Sequence, residues 1–582
     1  MATAIRYRRL TMMKRLSMSV QAVFGAWAGG SLITFGLITV GLVLPILAGL
    51  AGAIMPATGV FPALGGDSIS LQPAQDFLAT PGLGRSVWLT ISIGVGTTCL
   101  ALAGTFSILA AASTGRPLKW LRRVIGPMIA VPPSAVAIGI LFLLAPSGWM
   151  MRLMSPWLTG LERPAAFALT LDPGGAALIF ALLAKEIPFL LLVSLAAMAT
   201  LPAGRILATG ASLGYGRGAS WLFLLMPLIY RRIRLPLAAV MIFALSVVDM
   251  TRILGPSLPP PLAVLAVEAF EDADLARRFP AAFGACLQIV VTIVALAIWR
   301  GGEAVAGLLL TAVRRKGARL RLLSALLTGL AVLAALPVLA GFAGLLAAAI
   351  WSLAGRWFFP APLPTELTLR YWDRALEMLP IMANSVILAV IAAGLAVILT
   401  LLVVARGDRL RPVIYAPLLV PQVSFVLGLQ MVLTMLWLDG SWLAMIWIHM
   451  LFILPFTWLI LFPAFAGIDR RHLAVAASLG AGPWQRYWRI TLPLLAPAIT
   501  TALFVGGSVS VALYLPSLFA GAGRINTITV EAVALASGGS RQMAGVAAML
   551  QLLVPLLMFL LLQSLYRWRY GRFAGMRGGG LH

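Results

Sequence analysis

Long apolar runs alternate with short polar gaps along the whole chain. In the first half the runs lie near 31–55, 87–112, 125–145, 175–199, 236–256 and 283–300. In the second half they lie near 323–354, 381–405, 412–437, 442–466, 495–518 and 543–566. A helix of this length crosses about 30 Å of hydrocarbon. The pattern therefore predicts an all-α integral membrane protein with about twelve transmembrane helices. The first run follows a basic segment but is too long for a signal-peptide core, so it reads as a retained span.

Composition agrees. Of 582 residues, 61% are hydrophobic and 10% charged, against about 25% charged in a soluble domain. The formal net charge is +25. On a soluble chain this would point to nucleic acid; here it points to basic cytoplasmic loops, and nucleic-acid binding is not expected. Alternate gaps hold Arg116, Lys119, Arg122 and Arg123; Arg205, Arg217, Arg231, Arg232 and Arg234; Arg314, Arg315, Lys316, Arg319 and Arg321; Arg406, Arg409 and Arg411; Arg470, Arg471, Arg486 and Arg489; then the tail Arg567, Arg569 and Arg572. All fall on the side of the N-terminus, which predicts that both termini are cytoplasmic. The two cysteines, Cys99 and Cys286, lie in apolar runs and imply no disulfide framework.

The halves repeat each other. The stretches 207–229 and 473–495 share Ala-Ser-Leu-Gly, at Ala211–Gly214 and Ala477–Gly480, followed thirteen positions after the glycine by Pro227 and Pro493. Pro132 and Gly139 match Pro421 and Gly428, Pro188 matches Pro455, Glu268 matches Glu531, Arg278 matches Arg541, and Gln288 matches Gln551. The offset falls from 289 to 263 residues, mostly between Gly139 and Pro188, so the first half carries an extra outer segment near 146–173. Six spans per half make the repeat parallel, with a pseudo-two-fold axis along the membrane normal. The expected division is a cytoplasmic segment 1–30, a first lobe 31–302, a basic linker 303–322, a second lobe 323–567 and a tail 568–582.

Each Gly–Pro loop reads as a short helix outside the hydrocarbon, ended by Gly214 or Gly480, with Pro227 or Pro493 opening the next span. An interfacial or re-entrant helix that turns the chain would account for one such copy. Two matched copies on one side of the membrane form a docking surface.

Both loops resemble the coupling loop of ABC-importer permeases, whose pattern is E-A-A, three residues, G, nine residues, then I-x-L-P. Ile490-Thr491-Leu492-Pro493, Gly480 and Ala476 match, as do Gly214 and Pro227 in the first copy. Ala474 and Ala208 stand where the family has glutamate. Over nearly its whole length the chain resembles a fused two-lobe permease of the thiamine and ferric-iron importers, with 514–518, 521–524 and 529–532 most similar to a thiamine-type branch. The resemblance implies a permease subunit in a bacterial inner membrane, with coupling loops at 201–235 and 468–493. It implies that Ala208, Gly210, Ala211, Gly214, Pro227, Ala474, Ala476, Ala477, Gly480 and Pro493 face an ABC ATPase dimer. It also implies a periplasmic or surface-tethered binding protein as a further partner. The chain has four lysines, none in a P-loop setting, so it is not expected to be an enzyme or to bind a cofactor; ATP and magnesium would belong to the partner ATPase.

Charges at membrane depth are costly, which singles out Lys185, Glu186, Asp249 and His449 as candidates for a translocation path, against a reading as interhelical glue or a hinge beside Pro188. Asp249 and Arg252, three apart, are placed to pair along one helix face. A secondary carrier with two six-helix lobes is the alternative from another class. Such a carrier has no need of paired Gly–Pro loops. A membrane enzyme lacks a visible nucleophile–base or metal constellation.

Overall fold

The computed structural model describes residues 36, 39–112, 121, 131–166, 169–317, 322–404 and 411–570. The basic residues at 116–123, 319–321 and 406–409, and the terminal segments, fall outside these. In the first half the helices are α1 (Leu44–Ala57), α2 (Gln72–Leu78), α3 (Leu83–Ala111), α4 (Pro133–Leu144), α5 (Trp149–Met154), α6 (Ala176–Ala199), α7 (Ala203–Ser212), α8 (Arg217–Ser220), α9 (Met226–Ser246), α10 (Asp249–Leu254), α11 (Leu262–Glu271) and α12 (Arg278–Arg315). In the second half they are α13 (Leu323–Leu353), α14 (Arg370–Arg374), α15 (Leu379–Val403), α16 (Arg411–Leu419), α17 (Gln422–Met435), α18 (Trp442–Ala466), α19 (Arg470–Ser478), α20 (Pro483–Arg486), α21 (Leu492–Ala512), α22 (Leu515–Gly521), α23 (Ile528–Ser537) and α24 (Arg541–Tyr570). Among the described residues the only β-structure is two isolated bridges.

Among the described residues, ten helical stretches are long and apolar enough to cross a membrane, or eleven if a sharply bent pair counts as one span. This is an all-α integral membrane protein. Every run expected from the pattern carries a helix, but several differ in form. The run at 412–437 is bent by 105° between 413–419 and 422–435. Pro421 lacks the amide hydrogen that would continue the helix, and a residue before proline, here Val420, is biased toward extended backbone. Its match Pro132 is likewise extended (φ −60°, ψ 143°) just before α4. The runs at 236–256 and 495–518 both break, between α9 and α10 and between α21 and α22. Helix α12 continues to Arg315, so most of the stretch read as a linker is helical, and its last turn carries Arg314 and Arg315, where cations suit the helix dipole.

The halves interlock. Helix α13, the first long helix of the second half, packs along α4 of the first half, and α1 of the first half packs along α17 of the second. Both crossings are backbone to backbone. A Cβ on Gly139 would lie 2.6 Å from the carbonyl carbon of Gly344, and a Cβ on Gly344 equally close to Gly139. At the matching crossing, a Cβ on Gly428 would overlap the carbonyl of Gly49, and one on Gly52 the carbonyl of Gly428. Small residues let helix backbones approach closely where lipid offers no hydrophobic drive to associate. Hydrogen bonds follow the same exchange: Gln551 Nε2 of α24 donates to Ser134 Oγ of α4 at 2.7 Å, and Ser424 Oγ of α17 donates to the Ala285 carbonyl of α12 at 2.6 Å.

Candidate functional site

The two Gly–Pro loops have the same backbone, at a constant offset of 266 residues. Helix α7 ends at Ser212 and α19 at Ser478. Gly214 and Gly480 then turn left-handed, with φ of 79° and 82°. Gly214 donates to the Ala211 carbonyl at 2.9 Å and Tyr215 to Gly210 at 3.0 Å. In the second copy Gly480 donates to Ala477 at 3.0 Å and Ala481 to Ala476 at 2.9 Å. This paired closure satisfies the last carbonyls of each short helix, and glycine adopts the left-handed turn without the Cβ penalty of other residues.

A short helix follows in each copy, α8 or α20, then a π-helical turn at Trp221–Leu225 or Tyr487–Thr491. Pro227 and Pro493 sit just after these turns. A proline ring clashes with the carbonyl four residues back, here Phe223 and Arg489; both lie inside the π turn, whose widened backbone relieves the clash. Gly210 and Ala476 are buried, and a Cβ on Gly210 would press on Ser220 Cβ at 2.6 Å. Ala208, Ala211, Ala474 and Ala477 are exposed, as are Leu213 and Leu479. Each loop thus exposes two alanines and a leucine, beside basic residues such as Arg205 and Arg471.

The first loop is held by groups from three other helices. Gly218 donates to Ser324 Oγ of α13 at 3.0 Å, Arg217 to the Ala111 carbonyl ending α3 at 3.4 Å, and Arg314 of α12 to the Phe223 carbonyl at 3.5 Å. Beyond the loop, Glu303 of α12 collects the Tyr230 hydroxyl, Arg300 at 2.8 Å and Arg234 at 3.4 Å. At the offset of 266, Tyr230 and Arg234 become Ala496 and Thr500, so this cluster belongs to the first half. Sequence reasoning missed it because Glu303 fell in the expected linker.

The charged candidates do not form one cluster. Lys185 donates through Nζ to the Val131 carbonyl, just before α4. Glu186 is buried beside it on α6, at 7% exposure, and Asp249 is buried at the start of α10, at 6%. The expected Asp249–Arg252 pair does not form. Arg252 instead pairs with Glu271 and donates to the Tyr514 hydroxyl of the second half at 2.8 Å. His449 is fully buried, with Nδ1 2.9 Å from Ser510 Oγ and Nε2 3.1 Å from Ser517 Oγ. Because Ser517 donates its hydroxyl to the Leu513 carbonyl at 2.6 Å, it accepts from His449, which assigns the imidazole proton to Nε2. Ser510 then donates to Nδ1. Both ring nitrogens are thereby engaged by hydroxyls of α21 and α22.

Sequence reasoning also missed Arg152, in the extra segment of the first half. It is 3% exposed and bonds to the Ser147 and Phe358 carbonyls, each at 2.9 Å. An isolated arginine in a polar gap carries no pattern that marks it as buried, and its distant partners are backbone carbonyls.

No protein-family profile matches the chain. It is 28% identical over 509 residues to the inner membrane ABC transporter permease protein YnjC of Escherichia coli K12, spanning 86% of this chain and 92% of that protein. It is 27% identical over 161 residues to PhnV of Salmonella choleraesuis, a permease protein named for a 2-aminoethylphosphonate transport system, spanning 27% of this chain and 61% of the relative. PhnV of Salmonella typhimurium is 35% identical over 103 residues, 17% of this chain and 39% of that protein. The chain is thus similar over most of its length to an ABC transporter permease, a likeness that does not extend to a thiamine- or iron-type branch.

Proposed function

We propose that this chain is the transmembrane permease subunit of an ABC importer, with two lobes in one polypeptide and a solute path between them. The observation that carries this reading is the pair of Gly–Pro loops, with matching backbone hydrogen bonds around the glycine turn at one offset. A lone interfacial turn has no reason to recur in this detail; two equal sockets suit a two-fold ATPase. The relatives are permease proteins, which supports ATP hydrolysis, with its magnesium, on a separate ABC ATPase dimer.

In this reading Ala208, Gly210, Ala211, Gly214 and Pro227 form one docking loop, and Ala474, Ala476, Ala477, Gly480 and Pro493 the other. Both loops and both termini are cytoplasmic, and the extra segment of the first half faces a periplasmic or surface-tethered binding protein. Alanine in place of the family's glutamate makes docking a matter of shape and apolar contact, with Leu213 and Leu479 exposed beside it. The proposed cargo is a small solute: thiamine or a related compound, ferric iron, or a compound like that in the name of the shorter relatives.

The test replaces Gly214 or Gly480 by valine, which the left-handed turn disfavours. ATPase co-purification falls, and hydrolysis no longer drives uptake of radiolabelled solute. Uptake that persists in cells lacking every candidate ATPase overturns the importer reading in favour of a secondary carrier.

A further inference from the structure

Helix α13 is an unbroken helix of 31 residues, about 45 Å long at 1.5 Å per residue. Pro337 removes one backbone hydrogen bond from it without interrupting it. Although it begins the second half, it is fixed to the first half at three heights. At its start, Ser324 Oγ accepts from the Gly218 amide of the first Gly–Pro loop, and a Cβ on Gly218 would lie 2.9 Å from the Ser324 amide nitrogen. Midway, Gly104 leaves room for Ala334. Higher up, Gly344 lies against Gly139, backbone on backbone.

At its far end the extra segment closes on it. The Arg152 guanidinium lies over Trp351, in the last turn of α13, at 5.5 Å and over Trp357 at 4.6 Å. It donates to the Phe358 carbonyl at 2.9 Å, Trp357 at 3.3 Å and Ala361 at 3.4 Å, and to Ser147 of its own segment at 2.9 Å. Trp149 Nε1 adds a bond to the Pro362 carbonyl at 3.2 Å. Buried guanidinium is tolerable here because carbonyls accept its hydrogens and ring faces receive its charge. On its outer side α13 exposes Leu326, Leu333 and Leu346.

We propose that α13 is a connecting rod between the first Gly–Pro loop and the extra segment at the opposite end, with Ser324 as its inner attachment and Arg152 as its outer one. A displacement of the loop moves Ser324, hence α13, hence the Trp351–Trp357 platform and the segment around Arg152. The second Gly–Pro loop has no extra segment in its own half, so the linkage is one-sided. The inference stands on these contacts alone and holds whatever docks on the loop.

The test is hydrogen–deuterium exchange of the full chain in nanodiscs, with no partner added. Arg152→Gln is expected to raise exchange at 354–362 and, at the other end, about fivefold at 210–225, the loss of roughly one ordinary hydrogen bond. Exchange at 476–491 stays unchanged. Coupling is reciprocal, so Ser324→Ala, a mild change that keeps the chain folded if Arg152→Gln does not, is expected to raise exchange at 146–158 by a similar factor. Changes confined to the end that carries the substitution overturn the proposal, and so does an equal rise in both Gly–Pro loops.

Discussion

Gly139 of α4 and Gly344 of α13 meet so closely that a methyl group on either would lie 2.6 Å from the other's carbonyl carbon. The contact joins the third span of one half to the first of the other. Its counterpart at Gly428 and Gly49 does the same in reverse. The halves therefore complete each other's packing, and Gly139 and Gly428, matched by the repeat, lie at the crossings.

Gly139→Val and Gly428→Val are each expected to destabilise the chain by about 1–3 kcal/mol, the usual cost of overpacking. Thermal unfolding in detergent measures this. Valine at Gly394, where a Cβ meets nothing within 4 Å, serves as the control and leaves the midpoint in place.

His449 ties α18 to α21 and α22 through Ser510 and Ser517. His449→Phe removes the partner of the Ser510 hydroxyl, at a cost of about 1–3 kcal/mol. The melting temperature falls while uptake per assembled complex is retained. Lost uptake with an unchanged melting temperature would move His449 from packing to the solute path.

Lys185 and Glu186 lie on α6, which leads through α7 into the first Gly–Pro loop. An unpaired charge at membrane depth costs at least about 2.5 kcal/mol, and Lys185 offsets this with the Val131 carbonyl. Lys185→Met and Glu186→Gln are expected to reach the membrane in normal amounts and bind the ATPase, yet fail to import. Normal uptake per complex in both variants rules out a pathway role.

The extra segment is expected on the periplasmic face, with exposed Trp157 at the interface. On sequence alone Ser155 is a natural labelling site. The structure buries it at 3% exposure, 2.6 Å from Thr159 Oγ1, so the probe belongs on exposed Glu162. Glu162→Cys reacts with an impermeant thiol reagent in whole cells, whereas labelling only after lysis reverses the topology.

The repeated features were legible in the sequence. Gly214 and Gly480, Gly139 and Gly428, and Pro132 and Pro421 recur because the same backbone needs the same residue twice. What escaped was whatever occurs once or depends on distant chain. Arg152 finds three of its four acceptors 205 to 209 residues away, and all are main-chain carbonyls, which no side-chain pattern reveals. Arg252 chose Glu271 and Tyr514 over Asp249 because α10 is short and set off by a break, so a spacing of three did not decide its partner. The bend at Pro421 was hidden because the apolar run continues through it.

The central claim is that both Gly–Pro loops dock one ATPase dimer. Single cysteines at Ala208 and Ala474, exposed at matching positions of α7 and α19, test it most directly. After mild oxidation or treatment with a short bifunctional thiol reagent, in cells expressing cysteine-bearing ATPase, each is predicted to form a cross-linked product of permease plus one ATPase subunit. The double variant is predicted to capture two. Cross-linking from neither position, alongside solute uptake by the purified chain in vesicles without ATPase, would contradict the account.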